Sequence, residues 1–493
     1  MAFRNVGAEI ILPAVVHWRV GHYAAIVKRD ELGRYRVEDP TFGENVRMQA
    51  ATLDQEASGY FLVPSGPLPK GWRSVSVAEG EKVWGRGDTG TNKDNGDTGS
   101  GPCSGGCTTW SIEPMVVGLA LHDIPVGYKP PVGPQVRFEM VYSHRDVQQP
   151  AIFTYANMGP KWTTTWLSYV TDNISVNGTV DLYRRGGGDE PFTFDAGSAV
   201  SHPGQFSQSI VTRRTDSGGN TSGFSRQMND GSSEDFSLAM GKQFFMTSFA
   251  DPQGNKATVT YDAQMRITKV TDAIGQDTTV SYENPSDPLK ITKVTDPFGR
   301  SATFMYNGAG ELASTTDVLG ITSSYDYGAN DFVQKLTTPY GSSTFVYGDA
   351  ATDPTLGSTR FIEATDALGR TSRVEFAQGV TDIPNGDPVV PAGMGLYNFN
   401  DIYRNTFVWD PVQYQAAKGP TGFDHTKATI LHWLHTQDDT STSRTLESVK
   451  SPLENRVYYI YAGQPDTIIA GTNNDATGVG RVLDDGSSKV ETY

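Results

Sequence analysis

The stretch VGHYAAIVKRDELGRYRVEDP, residues 20–40, holds the first residues whose types and spacing could do chemistry. His22 opens an apolar run, the polar turn RDELG follows, and a second run closes on Asp39 and a proline. Positions 22 and 39 have their midpoint at 30.5, the expected centre of the turn. A symmetric hairpin then sets the two side chains opposite each other with Cβ atoms roughly 5 Å apart. A carboxylate at that distance can orient an imidazole, one limb of nucleophilic catalysis. The nucleophile is lacking: 21 residues precede His22 and none is cysteine. On spacing alone, a surface hairpin that begins with His and ends with Asp is the ordinary explanation.

The two cysteines, Cys103 and Cys107, suit one disulfide in an oxidising compartment or a pair of free thiols. As half of a zinc site they lack a second pair. A further candidate group lies in DHTKATILHWLH, read as a short helix with His425 and His432 on one face and His435 nearby. Three histidines suggest zinc, but no carboxylate or cysteine is placed beside them, so packed or solvated histidines account for the pattern. No metal and no cofactor are assigned.

The elements that must position these residues are strands. The chain has 493 residues, 53 of them Gly, 22 Tyr and 22 Phe, with 19% charged residues. That profile belongs to many short strands joined by tight turns. The net charge of -16 argues against a nucleic-acid partner. No apolar run approaches the roughly 18 residues of a membrane span. No signal peptide is visible at the start, and the chain reads as a piece of a longer protein whose remainder is its first expected partner.

Residues 1–84 form one unit of paired strands. Residues 85–107 hold eight glycines and no aliphatic or aromatic side chain, so they cannot bury a core and read as a linker. Its RGD tripeptide is a chance match. Residues 108–248 are strand-rich, 249–378 repetitive, 379–445 an irregular insertion with a short helix, and 446–493 strand-like again.

The repeat is legible in DPQGNKATVTYD, DAIGQDTTVSYE, DPFGRSATFMYN, DVLGITSSYDYG, TPYGSSTFVYG and DALGRTSRVEF. Their turn glycines are Gly254, Gly275, Gly299, Gly320, Gly341 and Gly369, at intervals of 21, 24, 21, 21 and 28 residues. Seven residues after the glycine stand Tyr261, Tyr282, Tyr306, Tyr327 and Phe376; Tyr347 follows its glycine by six. In Asp-x-x-Gly the Asp side chain caps its own backbone and Gly supplies a positive φ. The next seven residues alternate, so Ala257, Val259 and Tyr261 share one face, as do Ala302, Phe304 and Tyr306. A second turn, as in YDAQ or YNGAG, leads into a return strand such as RITKVT. Each repeat is then a two-stranded hairpin, marginal alone and stable when stacked. Residues 250–376 are expected to be almost entirely antiparallel β, with the turn glycines along one edge.

At this point the chain resembles the YD-repeat (Rhs) family: Tyr261-Asp262 is the YD dipeptide, and TDAIGQ, TDPFGR and TDALGR are family-like. The stretch GPQVRFEMVYSHRD…MGPKWTTTW looks like the usual entry into such repeats. The resemblance covers about residues 108–376 and, more loosely, the remainder. It implies a mainly β chain whose hairpins wind into a spiral or hollow shell, as in bacterial toxin-delivery proteins, wall-associated proteins and animal teneurins. A second resemblance covers about residues 8–64: ILPAVVHWRVGHYAAIV, YRVEDPTFG and SGYFLVP run in the order of the C-terminal half of bacteriocin-processing, papain-like cysteine peptidases. It places His22 and Asp39 on that family's catalytic His and Asp, within a small piece of an α+β domain. The family's cysteine and its oxyanion-hole Gln precede the His, and neither is present here. CSGGCTTW faintly echoes a papain-type Cys-Trp neighbourhood but lies past the linker in the wrong chain order.

The leading expectation is a structural β-shell fragment of a large bacterial secreted or cell-surface protein, serving encapsulation, display or binding. The alternatives are a cysteine peptidase for export or self-processing, inactive here without its Cys, and an adhesin that binds surface glycan or protein through aromatic rows.

Overall fold

The computed structural model describes residues 1–18, 23–39, 43–64, 66–76, 79, 107–396, 398–420 and 422–493. The chain divides into two compact units, Met1–Asn95 and Gly96–Tyr493, the division falling inside the Gly-rich stretch. Its RGD tripeptide and Cys103 lie outside the described residues.

The first unit is a seven-stranded antiparallel sheet. Its spatial order is Gly43–Met48, Tyr35–Asp39, Tyr23–Arg29, Ala14–Trp18, Ala57–Leu62, Ala2–Arg4 and Trp72–Ser74. The helix Ala50–Glu56 contributes Leu53 to a core of Val16, Ile26, Val37 and Phe61. Strands Tyr23–Arg29 and Tyr35–Asp39 form the expected hairpin, but its centre is shifted. Ala25 pairs with Glu38 and Ile26 with Val37, with a bulge before Lys28. The cause is local: Asp30 Oδ1 accepts from the amides of Leu32 and Arg34, and Gly33 takes φ +78°, so the turn closes around Leu32. The unpaired Val27 then offsets the strands beyond it.

The second unit has two sheets. A 24-stranded antiparallel sheet runs from Tyr169–Asn173 to Ser488–Thr492, each strand beside its sequence neighbour, and Tyr169–Asn173 also pairs with Gln243–Ala250. A four-stranded sheet, Thr109–Glu113, Gly118–Tyr128, Val136–Ser143 and Trp162–Thr164, packs against the inward face of the large one. The repeats form as their spacing dictates. Asp251, Asp272, Asp296, Asp317 and Asp366 each accept two backbone amides through one carboxylate oxygen. The glycine three residues later takes φ between +77° and +86° in all five turns. The fifth repeat unit in chain order lacks the Asp: Thr338 pairs with Gly341 across a two-residue turn, and Gly341 takes φ +127° as a strand residue. Ala257, Val259, Ala302 and Phe304 are buried on one face, as alternation requires.

Residues 379–445 differ from their sequence reading. They contribute the strands Tyr403–Trp409, Thr429–His435 and the start of Thr442–Lys450 to the same sheet. The helix stands at Pro411–Ala417, started by a capping box of Asp410 and Gln413, not at DHTKATILHWLH. That sequence is a short 3-10 turn, His425–Lys427, followed by a strand buried on both faces. Burial on both faces erases the period of two and mimics a helical spacing.

Candidate functional site

The repeat tyrosines and the sheet they face are the most regular polar arrangement in the molecule. Tyr261, Tyr282, Tyr306 and Tyr327 donate through Oη to the carbonyl oxygens of Met246, Ile267, Ile291 and Leu312, at 2.8, 2.9, 2.6 and 2.7 Å. Each acceptor lies 15 residues earlier in the chain, on the preceding repeat, and Tyr461 repeats the pattern onto Leu446 at 2.8 Å. The ring thus packs into the core while its hydroxyl satisfies a backbone acceptor of the neighbouring unit. Tyr347 departs: its hydroxyl donates to Asp349 and accepts from Arg145. Phe376, with no hydroxyl, lies under the guanidinium of Arg360 at 4.0 Å.

The inner sheet locks onto this face. Trp162 Nε1 donates to Tyr327 Oη at 2.7 Å, Trp110 Nε1 to Ser343 Oγ at 3.2 Å, and Tyr142 Oη to the carbonyl of Asp331 at 2.9 Å. Thr108 Oγ1 joins Tyr325 Oη at 2.7 Å and donates to Asp123 Oδ2 at 2.8 Å. Burial pushes the Asp123 carboxyl up to about 6, against the Thr108 hydrogen bond. Ring pairs Trp110–Phe345, Phe138–Phe304 and Trp162–Tyr325 fill the space between the sheets. Tyr327 is therefore held from both sides, whereas Tyr282 only donates. We expect Tyr327→Phe to cost about 1–3 kcal/mol, because it strands the Trp162 donor and a carbonyl, and Tyr282→Phe about 0.5–1.5 kcal/mol. Equilibrium unfolding of the two variants checks the ranking.

The three histidines go to different places. His432 is fully buried, with Nδ1 2.9 Å from Asn405 Oδ1 and Nε2 3.2 Å from Glu447 Oε2. His435 Nδ1 lies 3.1 Å from Asp439 Oδ1 without hydrogen-bond geometry. His425 stands between two carboxylates: Nδ1 is 2.8 Å from both Asp382 oxygens and Nε2 is 3.2 Å from Glu375 Oε1. Its ring also packs on Phe407 and Trp409. Among the described residues no three His, Cys, Asp or Glu side chains are grouped to hold a metal.

His425 ties the irregular segment after Gly379 to the sheet through Asp382. Burial works to lower its pKa, but the hydrogen bonds and charges of Glu375 and Asp382 outweigh that and leave it raised. A histidine raised on folding contributes stability that is complete below its unfolded value, about 6.5, and lost as pH rises through the folded value. Glu375, also held by Arg373, is lowered despite its burial, so its contribution is lost only on acidification. Hydrogen exchange at the Val380 amide, which donates to Ile402 O at 3.0 Å, should therefore quicken as pH rises from about 6 to 8, beyond the intrinsic rate, and His425→Gln should abolish that dependence. An unchanged protection profile in the variant refutes the tether.

Of the remaining sequence-derived candidates, His22 and the Asp39 side chain lie outside the described residues. The neighbouring buried His17, which sequence reading passed over, has Nδ1 2.8 Å from Ser58 Oγ and so links two strands of the first unit. A cavity of about 290 Å³ beside them is lined by Phe3, Arg4, Asp54 and Ser58. Cys107 is buried and disulfide-bonded. Among the described residues no helix is long and apolar enough to cross a membrane.

A family model described as RHS Repeat matches residues 306–343. No curated protein matches the chain. Among solved structures, the crystal structure of TcdB2-TccC3-TEV is similar at 12% identity and a TM-score of 0.28, over 76% of this chain and 19% of that one. The Photorhabdus luminescens Tc holotoxin pore with the TccC3-D651A mutation is similar at 11% identity and a TM-score of 0.16, over 78% and 23%. The N-terminal domain of effector protein SpvB from Salmonella typhimurium strain LT2 is similar at 14% identity and a TM-score of 0.14, over 75% and 98%. The chain spans 19% and 25% of the first two TcdB2-TccC3 chains it matches.

Proposed function

We propose that the second unit is a wall segment of a β-shell in a large bacterial secreted or cell-surface protein, and that the wall encloses polypeptide of its own chain. One observation carries this reading: the inward face of the repeats is already covered by a sheet from the same chain, through paired rings and the Trp162–Tyr327 hydrogen bond. A wall built this way needs no catalytic group. Its chemistry is the exclusion of water and protease from what lies behind it. Limited proteolysis of the longest natural polypeptide containing this chain tests it. Segments behind the wall should resist cleavage until denaturant opens the repeats. Rapid loss of those segments while the repeats stay intact would favour display, and saturable binding on a glycan array would favour an adhesin.

A second reading concerns Met1–Asn95. We infer a His/Asp half of a papain-like peptidase, with His22 and Asp39 awaiting a thiolate from outside this chain. The adjacency of strands Tyr23–Arg29 and Tyr35–Asp39 in one antiparallel sheet supports it. The imidazole alone removes a proton but supplies no nucleophile and no oxyanion hole. Cleavage that appears only when an upstream cysteine-bearing segment is supplied, and vanishes in His22→Ala, supports the reading; robust cleavage by this chain alone overturns it.

A further inference from the structure

Among the described residues Lys290 is the one buried lysine, 5% exposed, and its ammonium group meets Asn157, which is 3% exposed. The two residues come from different parts of the second unit. Asn157 precedes the inner-sheet strand Trp162–Thr164, and Lys290 precedes the repeat strand Lys293–Thr295. Their backbones form a parallel bridge: the Asn157 amide donates to Leu289 O at 2.9 Å and the Ile291 amide to Asn157 O at 3.1 Å. The bridge holds both main chains in place, so the fold itself brings the two side chains together.

Their surroundings are those of an acyl transfer. Lys290 Nζ lies 3.0 Å from Asn157 Oδ1, and the Gly159 amide donates to the same oxygen at 3.0 Å. Asn157 Nδ2 donates to Tyr155 O at 3.3 Å. Two donors at one end of the carboxamide and an acceptor at the other settle which end is oxygen. The Gly159 N–H polarises the carbonyl and stands where negative charge develops when Cγ is attacked. Asp287 Oδ2 is 3.6 Å from Nζ, on a side chain free to rotate towards it, and can take up a proton. The ring centroids of Phe153 and Tyr306 lie 6.0 and 5.3 Å from Nζ and help to exclude water. Burial lowers the pKa of Lys290 against the pull of Asp287, which favours the neutral amine, the nucleophilic form. A purely structural ammonium fits this place less well. Its one hydrogen bond among the described residues is to a neutral amide, and its carboxylate stands beyond hydrogen-bond distance.

We propose that Lys290 and Asn157 join in an intramolecular isopeptide bond, which fastens the segment leading into the inner sheet to the repeat wall. Nζ attacks Asn157 Cγ. The Nζ–Cγ bond forms, the Cγ–Nδ2 bond breaks, and one proton passes from Nζ to Nδ2 by way of Asp287. An amine and a carboxamide thus become a secondary amide and ammonia, with no oxidant and no cofactor. The bond spans 133 positions of the chain and keeps its two ends together even when the intervening strands open.

Intact-mass spectrometry of the reduced, denatured 493-residue chain tests this. The parent should be lighter by one ammonia than Lys290→Gln, a nearly isobaric substitution that removes the nucleophile. Tryptic digestion of the parent should leave the Lys290–Ile291 bond uncut and yield a branched peptide holding both Asn157 and Lys290. That peptide separates the cross-link from a succinimide, which also loses ammonia but leaves Lys290 open to trypsin. Asp287→Asn keeps the side-chain oxygen that caps the Leu289 amide but removes the base. It should slow the appearance of the bond, sampled from induction onward, about tenfold or more. A parent of full sequence mass after prolonged incubation in the folded state overturns the proposal, as does an ammonia loss traced to a succinimide. Bond formation in Asp287→Asn at the parental rate overturns the role given to Asp287.

Discussion

Replacing Trp162 by alanine should destabilise the second unit by about 3–5 kcal/mol, the range for removing a large buried aromatic. Trp162 is 1% exposed and lies on an edge strand of the inner sheet, with its ring centroid 4.8 Å from Tyr325 and 5.4 Å from Tyr142. Deleting it opens a cavity between two sheets that cannot collapse, because each is held by its own ladder. It also strips Tyr327 of a donor. Trp166 provides the control. It is equally buried and packs on Phe138 at 5.1 Å, but its Nε1 has no hydrogen-bond partner among the described residues. Trp166→Phe therefore loses volume but no hydrogen bond and should cost clearly less than Trp162→Phe, which leaves Tyr327 Oη with one partner instead of two. Chemical unfolding of the three variants, read by fluorescence, makes the comparison. A loss below about 1 kcal/mol for Trp162→Ala would mean that the two sheets are not one cooperative core.

The parts of this architecture that could be read in advance are those whose causes are local. An aspartate capping its own turn and a glycine at positive φ act within five residues, so the five Asp-x-x-Gly turns were visible as letters. The alternation that buries Val259 and Phe304 is equally local. The hydroxyl of Tyr327 is not: its acceptor on Leu312 follows from strand pairing, and its donor on Trp162 comes from another sheet. Nothing in VRFEMVYSHRD says that its strand lies inside the repeat face instead of continuing it. The strand Thr429–His435 was misread because both of its faces are covered, one by the core and one by the segment around Asp410–Phe423. The hairpin of Tyr23–Arg29 and Tyr35–Asp39 is centred near Leu32 and not at 30.5, because the Asp30 side chain and Gly33 close the turn there, a choice the strand spacing does not announce.

Charge inside the strand Thr371–Gly379 was hidden for the same reason, and it carries the second large effect. Arg373 and Glu375 alternate with apolar neighbours and would read as an outward face, yet both are 7% exposed. Arg373 donates to Glu375 Oε2 through Nε and Nη2 at 2.9 and 2.6 Å, and to Glu363 Oε1 through Nη1 at 2.8 Å. Its guanidinium carbon lies 3.7 Å from the Phe361 ring centroid and 4.6 Å from that of Phe423. Arg373→Ala leaves Glu375 buried with only His425 as a cationic partner, and should cost about 3–5 kcal/mol near neutral pH. Arg373→Lys should recover only part of this, because an ammonium neither forks onto two carboxylates nor stacks between two rings. The pH dependence separates charge from packing. Glu375 is held below its ordinary value, so the pair's contribution is present above the unfolded carboxyl value, about 4.3, and fades as acid protonates the native carboxylate. The gap between Arg373→Ala and the parent chain should therefore narrow from about pH 7 to about pH 4, where the variant's Glu375 is neutral and needs no partner. Replacing both residues by apolar ones, Arg373→Met with Glu375→Leu, should cost less than Arg373→Ala alone, because no orphaned charge remains. A penalty for the double variant as large as that for Arg373→Ala, with no dependence on pH, would show that the guanidinium acts here as a packing element between Phe361 and Phe423 and not as a counter-charge.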